Sequence, residues 1–251
     1  MMKLRNSNIV VFGGGSGIGK AIAKRLCAEG TAVLIVGRDE KKLRGAKNEI
    51  ASEKLYTLPF DITDCDAHTE FFERAESMLS SIGGFVNAAA VGSGSLGRGY
   101  EPFDITPEEW DRLTDVNFRA AYFLMRNEID YFLRKGVRGN ILNIASNAAC
   151  MKIVGSYGAA KESLIRWTRA FGNQYGHNGI IINGIAPGAT FTPMISHYAK
   201  DIDQPYPRHA IERFIRPDEI AELAFYLMSD FGEIICGHTV VADGGDNNAT
   251  L

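Results

Sequence analysis

Short β-branched or apolar runs alternate along this chain with longer segments whose apolar positions recur at helical spacing. The runs cover residues 9–12, 32–36, 55–60, 85–88, 140–145, 180–186 and 238–242. Their alternation with helical segments is the pattern of a parallel sheet covered by helices. Strands alternating with helices predict an α/β fold of the doubly wound, Rossmann type, a seven-stranded parallel sheet with helices on both faces. No internal repeat, low-complexity tract or linker interrupts the pattern, and residues 1–251 are expected to form a single domain. Two irregular stretches stand out. Residues 92–107 are rich in glycine and carry Pro102 and Pro107; residues 195–209 carry Pro205 and Pro207 and are expected to act as a substrate lid.

Composition narrows the partners. The 251 residues are 45% hydrophobic and 23% charged, with a formal net charge of -3. That balance leaves no electrostatic footprint for nucleic acid or an anionic membrane, and no apolar run reaches the roughly 18 residues a membrane helix needs. A small-molecule partner is expected. Cys27, Cys65, Cys150 and Cys236 lie far apart, without the paired spacing of a zinc or redox site. They read as reduced residues of a cytoplasmic protein, and Lys3 and Arg5 are followed by too brief an apolar run for a secretory signal. No metal is expected: His177, His197, His209 and His238 read as surface or lid residues and His68 as part of a helix face.

The first strand runs into "FGGGSGIGK", residues 12–20. A glycine-rich turn between strand and helix lets backbone N–H groups and the positive helix end approach a pyrophosphate. Gly13, Gly15, Ser16, Gly17, Ile18 and Gly19 are therefore candidate cofactor-binding residues; a helix entry with glycines only for tight packing is the alternative. The second strand ends in "VGRDE", residues 36–40. The Arg38 guanidinium there suits a 2′-phosphate, which favours NADP(H) over NAD(H). Alternatively Arg38 lies in solvent and Asp39 takes the ribose, since the glycine turn lacks a second basic residue.

These pieces join others in one order. "GGGSGIG" (13–19), "FDIT" (60–63), "VNAAA" (86–90), "DVN" (115–117), "NIAS" (143–146), "YGAAK" (157–161), "APGATFTPM" (186–194) and "VADGG" (241–245) follow at intervals that resemble the short-chain dehydrogenases/reductases over nearly the whole chain. The resemblance implies that Asp61 and Ile62 border the adenine and that Asn87 lies at the floor of the cofactor cleft. It further implies that Pro187, Gly188, Thr190 and Thr192 wrap the nicotinamide. Asp61 as a plain turn residue and Thr192 as a plain helix cap are the alternatives.

The resemblance also implies a catalytic set of Asn117, Ser146, Tyr157 and Lys161. Reducing a ketone needs a hydride at carbon and a proton at oxygen, and a free tyrosine with a pKa of about 10 is a poor donor near neutrality. Tyr157 and Lys161 stand one helical turn apart. An ammonium about 5 Å from the phenol, at an effective dielectric of about 20, favours phenolate by roughly 3 kcal/mol, or about 2 pKa units. Ser146 would bind the substrate oxygen and Asn117 would support a proton relay to Lys161, with a buried asparagine satisfying helix backbone as its alternative.

Three departures from the family pattern matter. Phe12 replaces the usual Thr before the glycine turn, "NAAA" replaces Asn-Asn-Ala-Gly, and the interval from Ser146 to Tyr157 is short, so Asn147 or Ser156 could approach the substrate instead. The expected pocket walls, Val91, Ser93, Ala148, Cys150, Val154, Ala189, Met194 and Tyr198, hold no Arg or Lys, which points to a neutral, partly apolar carbonyl or alcohol. The basic patch of Arg134, Lys135 and Arg138 leaves a carrier-bound acyl group open. A homo-oligomer, tetramer or dimer, follows from the resemblance, with "GGDNNATL" (244–251) compatible with it. A catalytically quiet dinucleotide sensor or scaffold is the rival reading.

Overall fold

The computed structural model describes residues 3–92, 104–151 and 155–246. The seven expected strands form, with ends that differ by at most one residue: β1 Ile9–Phe12, β2 Val33–Gly37, β3 Leu55–Pro59, β4 Gly84–Asn87, β5 Gly139–Ile144, β6 Ile180–Pro187 and β7 Thr239–Ala242. All pair in parallel, in the order β3-β2-β1-β4-β5-β6-β7. The helices are α1 Gly17–Ala28, α2 Glu40–Ile50, α3 His68–Leu79, α4 Pro107–Thr114, α5 Ala121–Lys135, α6 Ser156–Tyr175 and α7 Pro217–Met228.

Alternation along the strands divides the core in two. Ile9 and Val11 pack with Ile22 and Leu26 of α1 and Phe225 of α7 on one face. Val10 and Phe12 pack on the other with Phe71 and Phe72 of α3 and Phe132 of α5. Every residue of β1 is fully or almost fully buried, which is why its sequence shows no polar alternation. Phe12 belongs to this second layer, its ring 5.2 Å from Phe71 and 6.5 Å from Phe85. An aromatic contact beneath the sheet thus stands at the position where the family pattern usually has Thr.

Local chemistry explains the helix starts. Asp39 accepts from the Lys42 N–H at 3.1 Å and so caps α2. Thr106 and Glu109 form a reciprocal capping box around Pro107 at the start of α4. Between α4 and α5 the chain widens into a π-helical turn, Asp115–Ala120, an insertion often found at functional sites. The strand order reverses direction between β1 and β4. This opens a crevice at their C-terminal ends, where Gly13 N–H donates to Val36 O at 2.8 Å and Ala88 N–H to Phe12 O at 3.0 Å.

Two histidines lie in the interior. His209, expected at the surface or in the lid, is fully buried, and His68 lies on α3 as expected but on its fully buried side. His68 is bonded through Nε2 to Ile62 O (2.9 Å) and through Nδ1 to Asn127 (3.0 Å), and burial holds its pKa below the ordinary value. His209 accepts from the Ala189 N–H at Nε2 (3.2 Å), while its Nδ1 meets Arg213 O at 2.9 Å, so a neutral ring with the proton on Nδ1 ties two loops together. Polar bonding in the interior outweighs the surface preference of the imidazole. No helix among the described residues is long and apolar enough to cross a membrane.

Candidate active site

A cavity of about 540 Å³ opens at the crevice between β1 and β4. The glycine turn lines it through Gly13, Gly15, Ser16, Gly17, Ile18 and Gly19. Gly13 has φ 75°, and a Cβ there would come within 2.6 Å of the Ala89 nitrogen; a Cβ on Gly17, at φ 52°, would come within 3.2 Å of Thr192. The turn therefore needs glycine both for its conformation and for close approach. The side chain of Ser16 makes no capping bond to α1, and the first turn of that helix holds no acidic residue. Its N–H groups are left to a ligand, and this donor set fits a dinucleotide pyrophosphate.

At the end of β2, Arg38 lines the cavity, largely exposed and 3.6 Å from Asp61. Asp61 also takes hydrogen bonds from the backbone and hydroxyl of Thr63 at 3.0 and 2.8 Å. Burial raises its pKa, but the Thr63 bonds and the Arg38 charge together hold it below the ordinary value. Asp61 is thus a turn residue and a cavity residue at once, beside Ile62. A second cation is present after all: Lys42, from the first turn of α2, lines the cavity, and its Cβ would be 3.4 Å from a Cβ on Gly15. It belongs to a helix rather than to the glycine turn, so the motif does not reveal it.

Asn87 does not line the cavity, although Ala88, Ala89 and Ala90 do. Its side chain points beneath the sheet, where its amide donates to Glu128 at 3.0 Å and to Asn143 at 2.9 Å. Burial pushes the Glu128 carboxyl up to about 8, against the opposing hydrogen bond from Asn87. Among the described residues neither Asn87 Oδ1 nor Glu128 Oε1 finds a partner. Asn117, in the π-helical turn, is also buried away from the cavity. Its amide donates to Val91 O at 2.7 Å and Leu113 O at 2.9 Å, and its oxygen accepts from the Val91 N–H at 3.2 Å.

Ser146, Tyr157 and Lys161 all line the cavity. The Ser146 hydroxyl is hydrogen-bonded to the Tyr157 phenol and accepts from the Ala148 N–H at 3.1 Å. Lys161 donates to Ile144 O at 3.0 Å, with its ammonium 5.8 Å from the centre of the Tyr157 ring. Burial, opposed by the Ser146 bond, raises the phenol pKa, and burial alone brings the ammonium down to about 8. This corrects the simple charge argument. In the protein by itself, desolvation outweighs any attraction of the phenolate for a lysine that is itself reluctant to hold its proton.

Pro187, Gly188, Thr190 and Thr192 complete the wall after β6. Thr192 begins the short turn Pro193–Ile195 without a side-chain capping bond, and Thr190 donates to Gly188 O at 3.0 Å. From the second irregular stretch come Ile195, His197, Tyr198, Tyr206 and Arg208. Arg208 donates through Nε to Asp246 at 3.0 Å, and Asn147 donates to the other oxygen of Asp246 at 2.9 Å. Burial pushes Tyr198 up to about 12, with smaller effects from Tyr206, Arg208 and Tyr157. The expected wall was too apolar: Arg208 comes from the irregular stretch 195–209, and the chain after β7 brings Asp246, one residue beyond "VADGG", to it. Ser93 and Val154 lie outside the described residues, as does much of 92–107 and of 244–251.

A parallel sheet whose strand order reverses at a glycine turn, with a serine-bonded tyrosine and a lysine in the same crevice, defines a dinucleotide-dependent oxidoreductase. A family model described as Enoyl-(Acyl carrier protein) reductase matches residues 13–247. The chain is 31% identical over 257 residues to levodione reductase of Leifsonia aquatica, covering 96% of this chain and 94% of that one. It is 29% identical to 2,5-dichloro-2,5-cyclohexadiene-1,4-diol dehydrogenase of Sphingobium indicum, covering 98% of each. A short-chain dehydrogenase structure from Bacillus anthracis superposes with a TM-score of 0.86 at 28% identity, covering 98% of each chain. A 3-ketoacyl-(acyl-carrier-protein) reductase from Brucella melitensis, solved with NADH, does so with a TM-score of 0.84 at 28% identity, covering 97% of this chain and 99% of that one. The chain belongs to the short-chain dehydrogenase/reductase family, whose members bind NAD(P)(H) and act on alcohols and ketones.

Proposed function

We propose that the protein interconverts a neutral, partly apolar ketone and its secondary alcohol with NADP(H), using Tyr157 as general acid and base. The observation that carries this reading is one crevice lined by the glycine turn, Arg38, Lys42, Ser146, Tyr157 and Lys161. NADP(H), when bound, supplies or accepts the hydride.

The chain's own residues do the rest. Gly13, Gly15, Ser16, Gly17, Ile18 and Gly19 hold the pyrophosphate by backbone N–H groups, and Arg38 with Lys42 hold the 2′-phosphate. Asp61 and Ile62 border the adenine. Pro187, Gly188, Thr190 and Thr192 hold the nicotinamide end, and Asn87 braces the floor from beneath. Ser146 orients the substrate oxygen and the phenol toward each other, and Tyr157 delivers the proton. Lys161, fixed by the Ile144 carbonyl, supplies positive charge near that proton, and Asn117 supports the relay behind it from its clamp on Val91. Residues 195–209 close over the substrate as a lid of the single domain. The family resemblance further supports a cytoplasmic homo-oligomer, tetramer or dimer.

Titration of tryptophan fluorescence with NADPH and NADH, followed by a panel of ketones, tests the reading. Tighter binding of NADPH with ketone turnover is the expected result. Tighter binding of NADH removes the role given to Arg38, and binding without any turnover favours the sensor or scaffold.

A further inference from the structure

The substrate end of the crevice contains a charged pair that the chemistry above does not use. Asp246 is the buried half, its side chain 2% exposed, while the Arg208 side chain keeps 35% of its surface accessible and lines the cavity. Both carboxylate oxygens of Asp246 are engaged, one by Arg208 Nε at 3.0 Å and one by Asn147 at 2.9 Å. Asn147 directly follows Ser146 in the chain, so the pair is anchored next to the hydroxyl that faces Tyr157. Tyr157, Tyr198 and Arg208 line the same cavity, so the phenol and the guanidinium face one shared space.

The bonding of Arg208 restricts what it can take. A guanidinium grips a carboxylate best through two parallel N–H bonds. Here Nε is committed to Asp246, Nη2 points to Met151 Sδ at 3.1 Å, and Tyr206 bonds the same group. Its charge is also balanced by a carboxylate already in place. Of its five N–H groups these bonds leave two for the cavity, in a locally neutral setting, which suits an uncharged oxygen better than an anion.

We propose that Arg208, held by Asp246 and Asn147, is a specificity-determining residue that donates a hydrogen bond to a second, uncharged oxygen of the substrate. The preferred substrate is then a compact dione or hydroxyketone, rather than a monoketone or a keto acid. This rests on the ketone-reducing function proposed above. A site built to pair a substrate oxygen rejects an analogue lacking it, because a donor covered by the bound substrate is left unmet.

The test compares kcat/KM for cyclohexane-1,4-dione, cyclohexanone and 4-oxocyclohexanecarboxylate, with NADPH, in the wild type, Arg208→Met and Arg208→Lys. The wild type is expected to prefer the dione over the monoketone, and Arg208→Met to lower that ratio by about 10- to 100-fold, mainly through KM. Arg208→Lys is expected to keep part of the preference. Because Arg208→Met leaves Asp246 without its cation, the double change Arg208→Met with Asp246→Asn provides a version without a stranded charge, with the same expected loss of ratio. An equal fall on dione and monoketone in both variants would mean a merely structural pair and overturn the proposal. A preference for the keto acid would overturn its uncharged character. Turnover of none of the three by protein that binds NADPH would overturn the substrate class, whereas failure to bind either dinucleotide would instead overturn the function beneath it.

Discussion

At the cofactor end of the crevice the walls are backbone: Gly13, Gly17 and Gly19 within seven residues of one turn, with the start of α1 behind them. At the substrate end the walls are side chains from separate segments, with Asn147, Tyr198, Arg208 and Asp246 converging across about a hundred positions of sequence. A backbone cradle tolerates almost no added atoms and recognises a ligand that presents the same phosphates each time. A side-chain wall can be rebuilt by changing one residue, and its specificity depends on which donors the neighbours leave available. In the proposed function the two ends meet at Tyr157, which lines the same cavity.

The largest effect is expected at that junction. Tyr157→Phe removes the proposed proton donor, and kcat should fall on the order of 10²- to 10⁴-fold with dinucleotide affinity unchanged, measured by steady-state rates and fluorescence titration. Retained turnover would take the phenol out of the mechanism. The strictness of the cradle is tested by Gly13→Ala, whose Cβ would meet Ala89 nitrogen at 2.6 Å in a backbone with φ 75°. Left-handed strain alone costs roughly 1–3 kcal/mol, so a lower melting temperature and loss of both dinucleotides are expected. Arg38→Ala probes the side-chain part of the cofactor end. NADPH affinity should fall about 10- to 100-fold with NADH little changed, and equal losses for the two would deny Arg38 the 2′-phosphate.

Below the sheet the test is one of pH. Glu128 titrates near 8 in the folded protein against an ordinary value of 4.5, so the folded state holds a proton that the unfolded chain has released. Stability from this group is complete below about 4.5 and declines as pH rises to about 8, by about 1.4 kcal/mol per pH unit. In Glu128→Gln, chemical denaturation across that window should lose this slope. The smallest effect is expected for Gly45→Ala on the exposed side of α2, where a Cβ would meet nothing within 4 Å. Helix propensity should stabilise the protein by roughly 0.5–1 kcal/mol, in contrast with Gly13.

Much was legible from local pattern. All seven strands, the glycine turn, Arg38 and the Tyr157–Lys161 spacing depend on neighbours in the chain: burial on both faces forces continuous apolar runs, and helical pitch puts residues four apart on one side. Contacts between distant segments were not legible. The polar partners of His68 and His209, the turn of Asn87 toward Glu128, and the convergence of Arg208, Asp246 and Asn147 each require two or three segments to be packed before any bond exists. The upward shift of the Tyr157 phenol belongs with these, because desolvation is a property of everything packed around a group. The sequence by itself determined the sheet, its helices and the contiguous motifs at the crevice. Tertiary structure alone decided which side chains are deprived of water and which donors remain for a substrate, since burial and pairing are set by the whole packed molecule.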